Sequence, residues 1–251
     1  MKSLFLTLLI FAAGADAAPA QTPRARQQQP ASRASEHLYR MGDRSVSIPP
    51  PQGFVEASSR SENVKKVFEA TEATALDMLA VHVSAEVMEK IARGEYPELE
   101  FYTKVSVPKR LRSVEQSQAD FSNIVSYVRA NNAKVFDFKS PEMQSQLKHQ
   151  NKSLSELLKE DTRFDLSQPV NLGEIENTAN SYGVLLLTKL KIQSDSKQLE
   201  KVLVSGASAV RVKNRLVWIY TFRTFNSDKD ADILRDFTKR WLADIVRANV
   251  N

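Results

Sequence analysis

Val202-Leu203-Val204-Ser205-Gly206-Ala207-Ser208-Ala209-Val210-Arg211-Val212-Lys213-Asn214-Arg215-Leu216-Val217-Trp218-Ile219-Tyr220-Thr221-Phe222-Arg223 decides the fold. Val202, Val204, Val210 and Val212 lead to a polar Lys213-Asn214-Arg215. Beyond it Leu216, Trp218, Tyr220 and Phe222 alternate with Val217, Ile219, Thr221 and Arg223. A period of two in β-branched and aromatic residues means paired strands. Asn214 accepts positive φ, so the chain reverses there without glycine, and Gly206 marks a bulge or a close backbone approach in the first strand. Both faces of the second strand are largely apolar until Arg223, which predicts a central strand covered on both sides.

The hairpin feeds a helix. In Asn226-Ser227-Asp228-Lys229-Asp230, Ser227 or Asp228 is the cap and the other acids face the positive end of the helix dipole. Leu234, Phe237, Trp241, Ile245 and Ala248 then recur at spacings of three and four, so one face packs on the sheet. Burying a side chain of the Trp or Phe class contributes roughly 1.5 to 3 kcal/mol. Trp241→Ala is therefore expected to unfold the domain before it affects any binding site.

The chain has 251 residues, enough to bury a sizeable core. Its N-terminus has the form of a secretory signal. Lys2 supplies the positive region, Leu4 to Ala13 the apolar one, and Ala15-Asp16-Ala17 or Ala18-Pro19-Ala20 the small-residue cleavage site. That apolar run falls short of the ~20 residues of a membrane span, and no later stretch comes close. The expectation is a periplasmic or secreted protein without a transmembrane segment. The absence of cysteine fits an exported domain held by its core, and removes thiol catalysis, thiolate zinc sites and lipidation. The net charge of +5 is a mild excess that favours loose association with anionic envelope surfaces.

Composition sets the organisation: residues 1–20 as signal peptide, 21–35 as a Gln/Pro/Ala/Ser/Arg tether with almost nothing to bury, and 36–251 as one α/β domain. Leu38-Tyr39-Arg40 and Ser45 to Ile48 flank Gly42-Asp43 as a first hairpin, ended by Pro49-Pro50-Pro51, with Gly53 in a tight turn. Val64, Val67 and Phe68 mark a short helix, Leu76 to Val83 a buried strand, and Ala85 to Arg93 a helix stopped by Gly94. Leu99 to Val107 alternates as a half-buried strand closed by Pro108. Strands resume at Val170 to Ile175 and Tyr182 to Ile192.

Between them the character turns charged and helical. Phe121, Ile124, Val125 and Val128 make one helix, and Ser140-Pro141 opens a second edged by Leu147, Leu154, Leu157 and Leu158. So narrow a stripe covers a surface, and the segment at about 112–165 is expected to be a helical insertion or lid. If the protein binds a partner, the predicted site is there, carried by Leu147, Lys148, Lys152, Leu154 and Leu158. Asn151-Lys152-Ser153 in the same segment matches a glycosylation sequon.

Helices and mostly antiparallel strands without βαβ alternation indicate an α+β domain, a sheet flanked by helices. Ile48-Pro49-Pro50-Pro51-Gln52-Gly53-Phe54 after a strand, the hairpin Val212 to Tyr220, and the terminal Trp241-Leu242-Ala243-Asp244-Ile245-Val246-Arg247-Ala248-Asn249 resemble exported proteobacterial proteins of unknown function that share a PsbP-like α/β/α sandwich. The resemblance covers the two ends of the mature chain. Its hairpin turn departs from the Asn-Gly common there, having Asn214-Arg215. It implies a fold and a binding or accessory role, and carries over no catalytic residue.

Motifs for chemistry are incomplete. His37, His82 and His149 are far apart and none stands in a His-Glu-x-x-His pattern, so His82, within an apolar strand, is expected to be structural and no metal ligand is predicted. Asp228, Asp230 and Asp232 alternate like the first ligands of a calcium loop, but Ile233 and Lys239 stand where that loop needs glycine and glutamate. Gly206-Ala207-Ser208-Ala209 lacks the closing glycine and the helix of a nucleophile elbow. Lys109, Arg110 and Arg112 are the densest basic cluster, read as an exposed turn and not as a nucleic-acid site. The expectation is a non-catalytic periplasmic binding or accessory protein acting on a protein or anionic envelope component, without cofactor. The alternative is a glycan hydrolase whose carboxylates converge only on folding. A deep pocket with two facing carboxylates would favour the second, and a groove lined by Val, Leu and Tyr the first.

Overall fold

The structure, a computed structural model, describes residues 37–195 and 198–250. The signal-peptide and tether readings lie outside the described residues. The hairpin forms as read. Strands β9 (Gln198–Val212) and β10 (Arg215–Thr224) are joined by Lys213-Asn214, with φ of 46° and 56°. Both turn residues are left-handed, the geometry whose twist matches a right-twisted hairpin. Arg215 is therefore the first residue of β10, paired with Val212, and not part of the turn.

The remaining strands are β1 (Leu38–Met41), β2 (Arg44–Ser47), β3 (Phe54–Glu56), β4 (Leu76–Ser84), β5 (Phe101–Pro108), β6 (Arg163–Leu166), β7 (Val170–Asn177) and β8 (Ser181–Gln193). Helices are α1 (Glu62–Ala70), α2 (Ala85–Ala92), α3 (Gln118–Ala130), the single turn α4 (Asn132–Val135), α5 (Pro141–Leu158) and α6 (Asp228–Arg247). The main sheet has the order β3-β4-β5-β10-β9-β8-β6, with β7 also on β8 and every pairing antiparallel. β10 lies in its middle. The chain is thus an α+β protein with an antiparallel sheet flanked by helices. No described helix is long and apolar enough to cross a membrane.

Side-chain alternation sorts the core into two faces. Leu216, Tyr220 and Phe222 pack with Phe68, Phe121, Val125, Leu147 and Leu154 under α1, α3 and α5. Val217 and Ile219 pack with Trp241, Leu242 and Ile245 of α6 and with Met41, Val46 and Ile48 of the first hairpin. That hairpin is a separate two-stranded sheet, tied by Trp241 Nε1 donating to Pro49 O at 2.8 Å and by the Asn249 amide bridging Ser47. Ser227 caps α6 in a reciprocal box with Asp230. Ala248 stays exposed, and Leu242 completes the buried face in its place.

Gly206 marks a close approach, without a bulge. A Cβ there would sit 2.5 Å from Thr221 Oγ1 and 3.3 Å from Thr238 Oγ1, while the β9–β10 register stays regular. β5 is buried on both faces instead of one, because α1 and α5 cover the side carrying Tyr102, Lys104 and Ser106. Lys104 survives there by pairing with Glu72 at 3.1 Å, whose other oxygen accepts from Ser106 Oγ at 2.7 Å.

The middle segment is a structural layer. Leu147 and Leu154 are core residues, and β6, unmarked by any strong alternation, extends the sheet along β8. Asn151 of α5 mimics a strand partner for β6: its amide accepts from Phe164 N and donates to Phe164 O. The sequon asparagine is therefore committed to closing an edge, a device that keeps sheet edges from pairing with other chains.

Candidate functional site

α3 has its polar ties at its two ends, and between them it packs Phe121, Val125 and Val128 on the sheet. At its start Ser117 and Asp120 form a capping box, and Gln118 is clasped by donating to Ala179 O and accepting from Arg211 at 2.7 Å. At its end Arg129 pairs with Glu174 of β7 at 2.7 Å. Between these ties, β9 offers only Ala207 and Ala209, too short to fill the space below the helix. A narrow apolar cleft of about 30 Å³, partly open to solvent, results. Ile124, Val125 and Val128 of α3, with Val135 and Phe136, form its helical wall. Tyr182, Val184, Trp218 and Tyr220 complete the sheet wall around the two alanines.

The wall contains no charged side chain. Its polar atoms are on the aromatic residues. Burial, and then the charge of Glu174, raise the Tyr182 hydroxyl to about 12, with Arg129 pulling the other way. It stays protonated at neutral pH and donates to Glu174. Tyr220 is pushed far above the usual phenol range by burial and then by Glu72, and Lys104 Nζ lies 5.2 Å from its ring. Neither phenol is a candidate base or nucleophile. A shallower hollow lined by Val114, Glu115, Gln116, Asp120 and Asn123 meets the cleft at Ile124. The arrangement can take up an apolar group and orient it by ring contacts, and its side chains offer no base at neutral pH.

The residues predicted as a partner site fall elsewhere and divide. Leu147 and Leu154 are 4% and 0% exposed and pack against the sheet, so they present nothing to a partner. Leu158 is half-buried at the end of α5. Lys148 and Lys152 are exposed, Lys152 standing 3.9 Å from Glu156. The apolar half of the set is core because α5 docks across α1 and β6, where Gln150 Nε2 also donates to Thr71 O at 2.9 Å.

His82 is fully buried on β4. Its Nδ1 lies 3.0 Å from Thr103 Oγ1, its ring meets Trp241 edge-on at 5.4 Å, and its Nε2 is buried without a partner. Burial depresses it to about 4, against the pull of nearby Glu56. It is structural, as expected. His149 is exposed on α5, and among the described residues no three His, Cys, Asp or Glu side chains are placed to hold a metal ion. Asp230 accepts from Arg223 Nε at 2.7 Å and caps α6, while Asp228 and Asp232 are exposed.

The sequence predicts helix or strand for the cleft walls formed by α3 and the sheet, but not for Val135 and Phe136, and predicts no site there. The available signal was two alanines in the most apolar hairpin of the chain, opposite a helix whose stripe Ile124-Val125-Val128 is short. That signal is read only after the register is known. A scan against protein-family models finds no match to this chain, and neither does a search of curated proteins.

Proposed function

We propose that this protein is an exported, non-catalytic binding or accessory module. Its binding element is the cleft beneath α3, which takes an apolar group of a protein or envelope component. The observation that carries this reading is the composition of the wall: aliphatic and aromatic throughout, with no carboxylate in it. Glycan hydrolysis needs two carboxylates across the scissile bond, so the cleft does not favour that alternative. Export is supported by Lys2 followed by the apolar run Leu4 to Ala13 and by the cysteine-free composition. Kinship with PsbP-like sandwiches is supported by the Pro49-Pro50-Pro51-Gln52-Gly53 turn, the late hairpin and the terminal helix on an antiparallel sheet.

The test is titration with the neutral fluorophore N-phenyl-1-naphthylamine, read by its emission. Ala209→Leu and Val128→Phe, which overfill the cleft, should each weaken binding at least tenfold, at a stability cost of about 1 to 3 kcal/mol. A filled variant that folds and binds as tightly as the parent would remove the cleft from the function.

A further inference from the structure

Three loops that are far apart in sequence meet at one end of the sheet. Arg215 Nε donates to Met41 O at 3.0 Å, Arg112 reaches Arg40 O at 3.2 Å, and Gln116 N donates to Asn214 O at 2.9 Å. Gly42 backs directly onto Ser113. The β1–β2 turn brings Arg40 and Arg44, the 3-10 turn Lys109–Leu111 and its next residue bring three cations, and the β9–β10 turn brings Arg211 and Lys213. All seven reach the surface, and Arg215 is buried behind them.

Among the described residues, Asp43, Asp77 and Glu115 form ion pairs with these cations: Asp43 with Arg215, Asp77 with Arg112 and Glu115 with Arg44. The cations remain in excess with Asp120, which lines the adjoining hollow, counted against them. Such a concentration of charge at one end is what makes it useful for docking. Within the patch Val114 is 45% exposed, following Arg112-Ser113, with half-buried Leu111 beside it. A soluble polyanion gains nothing from an apolar side chain raised among cations, whereas a bilayer interface does.

We propose that this end of the sheet docks on an anionic membrane surface, with Arg110, Lys213 and their neighbours facing lipid headgroups and Val114 entering the interface. The hollow beginning at Val114 runs to Ile124, so a docked molecule holds the cleft beside the membrane. Arg110, Lys213 and Val114 all lie outside the cleft wall.

The experiment is co-sedimentation of the full chain with phosphatidylcholine vesicles, with and without phosphatidylglycerol, across a salt series. A cation near an anionic surface contributes about fivefold in affinity. Arg110→Glu with Lys213→Glu should therefore lose well over tenfold on the phosphatidylglycerol vesicles, and binding should weaken steeply with salt. Val114→Asp should lose affinity at every salt concentration. Lys148→Glu with Lys152→Glu, on α5, should bind like the parent. All variants should keep the urea midpoint and the naphthylamine affinity of the parent. Equal binding by the Arg110/Lys213 variant, an equal loss in the Lys148/Lys152 variant, or capture by dextran sulfate without any by anionic vesicles would each overturn the proposal.

Discussion

Acidification from pH 7 to pH 5 should destabilise this protein chiefly through one side chain, His82. Its pKa in the folded state, about 4, lies below the ordinary value of 6.5 because burial disfavours the imidazolium. The unfolded chain therefore binds the proton more readily, and stability falls as pH drops from 6.5 towards 4, levelling off once both states are protonated. A difference of this size corresponds to about 3 kcal/mol in full and about 2 kcal/mol already lost at pH 5. The geometry explains why the imidazolium finds no relief. Nδ1 is occupied by Thr103, Nε2 has no acceptor among the described residues, α6 presents the Trp241 ring, and His37, just before β1, also disfavours a charge on the imidazole. Glu56 is the one favourable neighbour. Burial works against its ionisation, but hydrogen bonds from Ser58 and Ser59 outweigh that and hold its carboxyl below the usual range, so it adds its own loss only at the acid end of the window. Urea unfolding of the parent and of His82→Asn, which keeps a polar atom for Thr103, isolates the effect. The parent should lose about 2 kcal/mol more than the variant between pH 7 and pH 5. Parallel pH profiles for the two proteins would refute the assignment.

Trp241→Phe should cost about 1 kcal/mol for the lost bond to Pro49 O and loosen the first hairpin, and Trp241→Ala about 3 to 5 kcal/mol, both read by urea unfolding. Gly206→Ala should destabilise by about 1 to 3 kcal/mol, and Thr221→Ser in the same chain should not rescue it, because the clash is with the oxygen both side chains share. Lys104→Met leaves Glu72 charged and unpaired in the core and should cost about 3 to 5 kcal/mol, with most of it recovered by adding Glu72→Gln. Hydrogen exchange is expected to protect Val125 and Leu154 more than a peripheral lid would allow, since both lie in the core shared with Phe222.

The late hairpin and α6 were legible because local and global demands agree there. Period-two alternation, a turn residue that accepts positive φ and a capping serine all point to one answer, and the sheet makes β10 its centre. The half-buried reading of β5 failed because alternation reports polarity, and polarity equals exposure only when no buried partner exists. Lys104 and Ser106 have one in Glu72, which comes from the loop after α1, more than thirty residues away. Arg215 misled in the same way. Beside Lys213-Asn214 it looks like turn, yet it is buried against Met41 O and Asp43, groups supplied by the far end of the chain. β6 was missed since four residues at a sheet edge carry little pattern of their own, and its pairing is fixed by β8 and by the Asn151 amide.

The site was less legible than the fold for a related reason. A narrow leucine stripe on a polar helix gives the same sequence pattern whether it lies over an open groove or seats in a core, and α5 seats because Gln150 and Asn151 anchor it to the backbone on either side of its apolar edge. α3 has a stripe of similar width but no such anchor in its middle. Its ties are at the ends, Gln118 and Arg129, and the residues beneath are alanines. A helix tied at both ends over small side chains cannot collapse onto the sheet without breaking an end, so the gap below it persists as a cleft. Cutting one tie should therefore close it. Arg129→Ala removes the ion pair to Glu174 and lets the C-terminal turns of α3 settle towards Ala207 and Ala209. An exposed pair contributes only about 0 to 1 kcal/mol, so the urea midpoint should hardly change while naphthylamine binding falls several-fold. Unchanged binding by Arg129→Ala would mean that the cleft is kept open by the shapes of its walls and not by the end ties of α3.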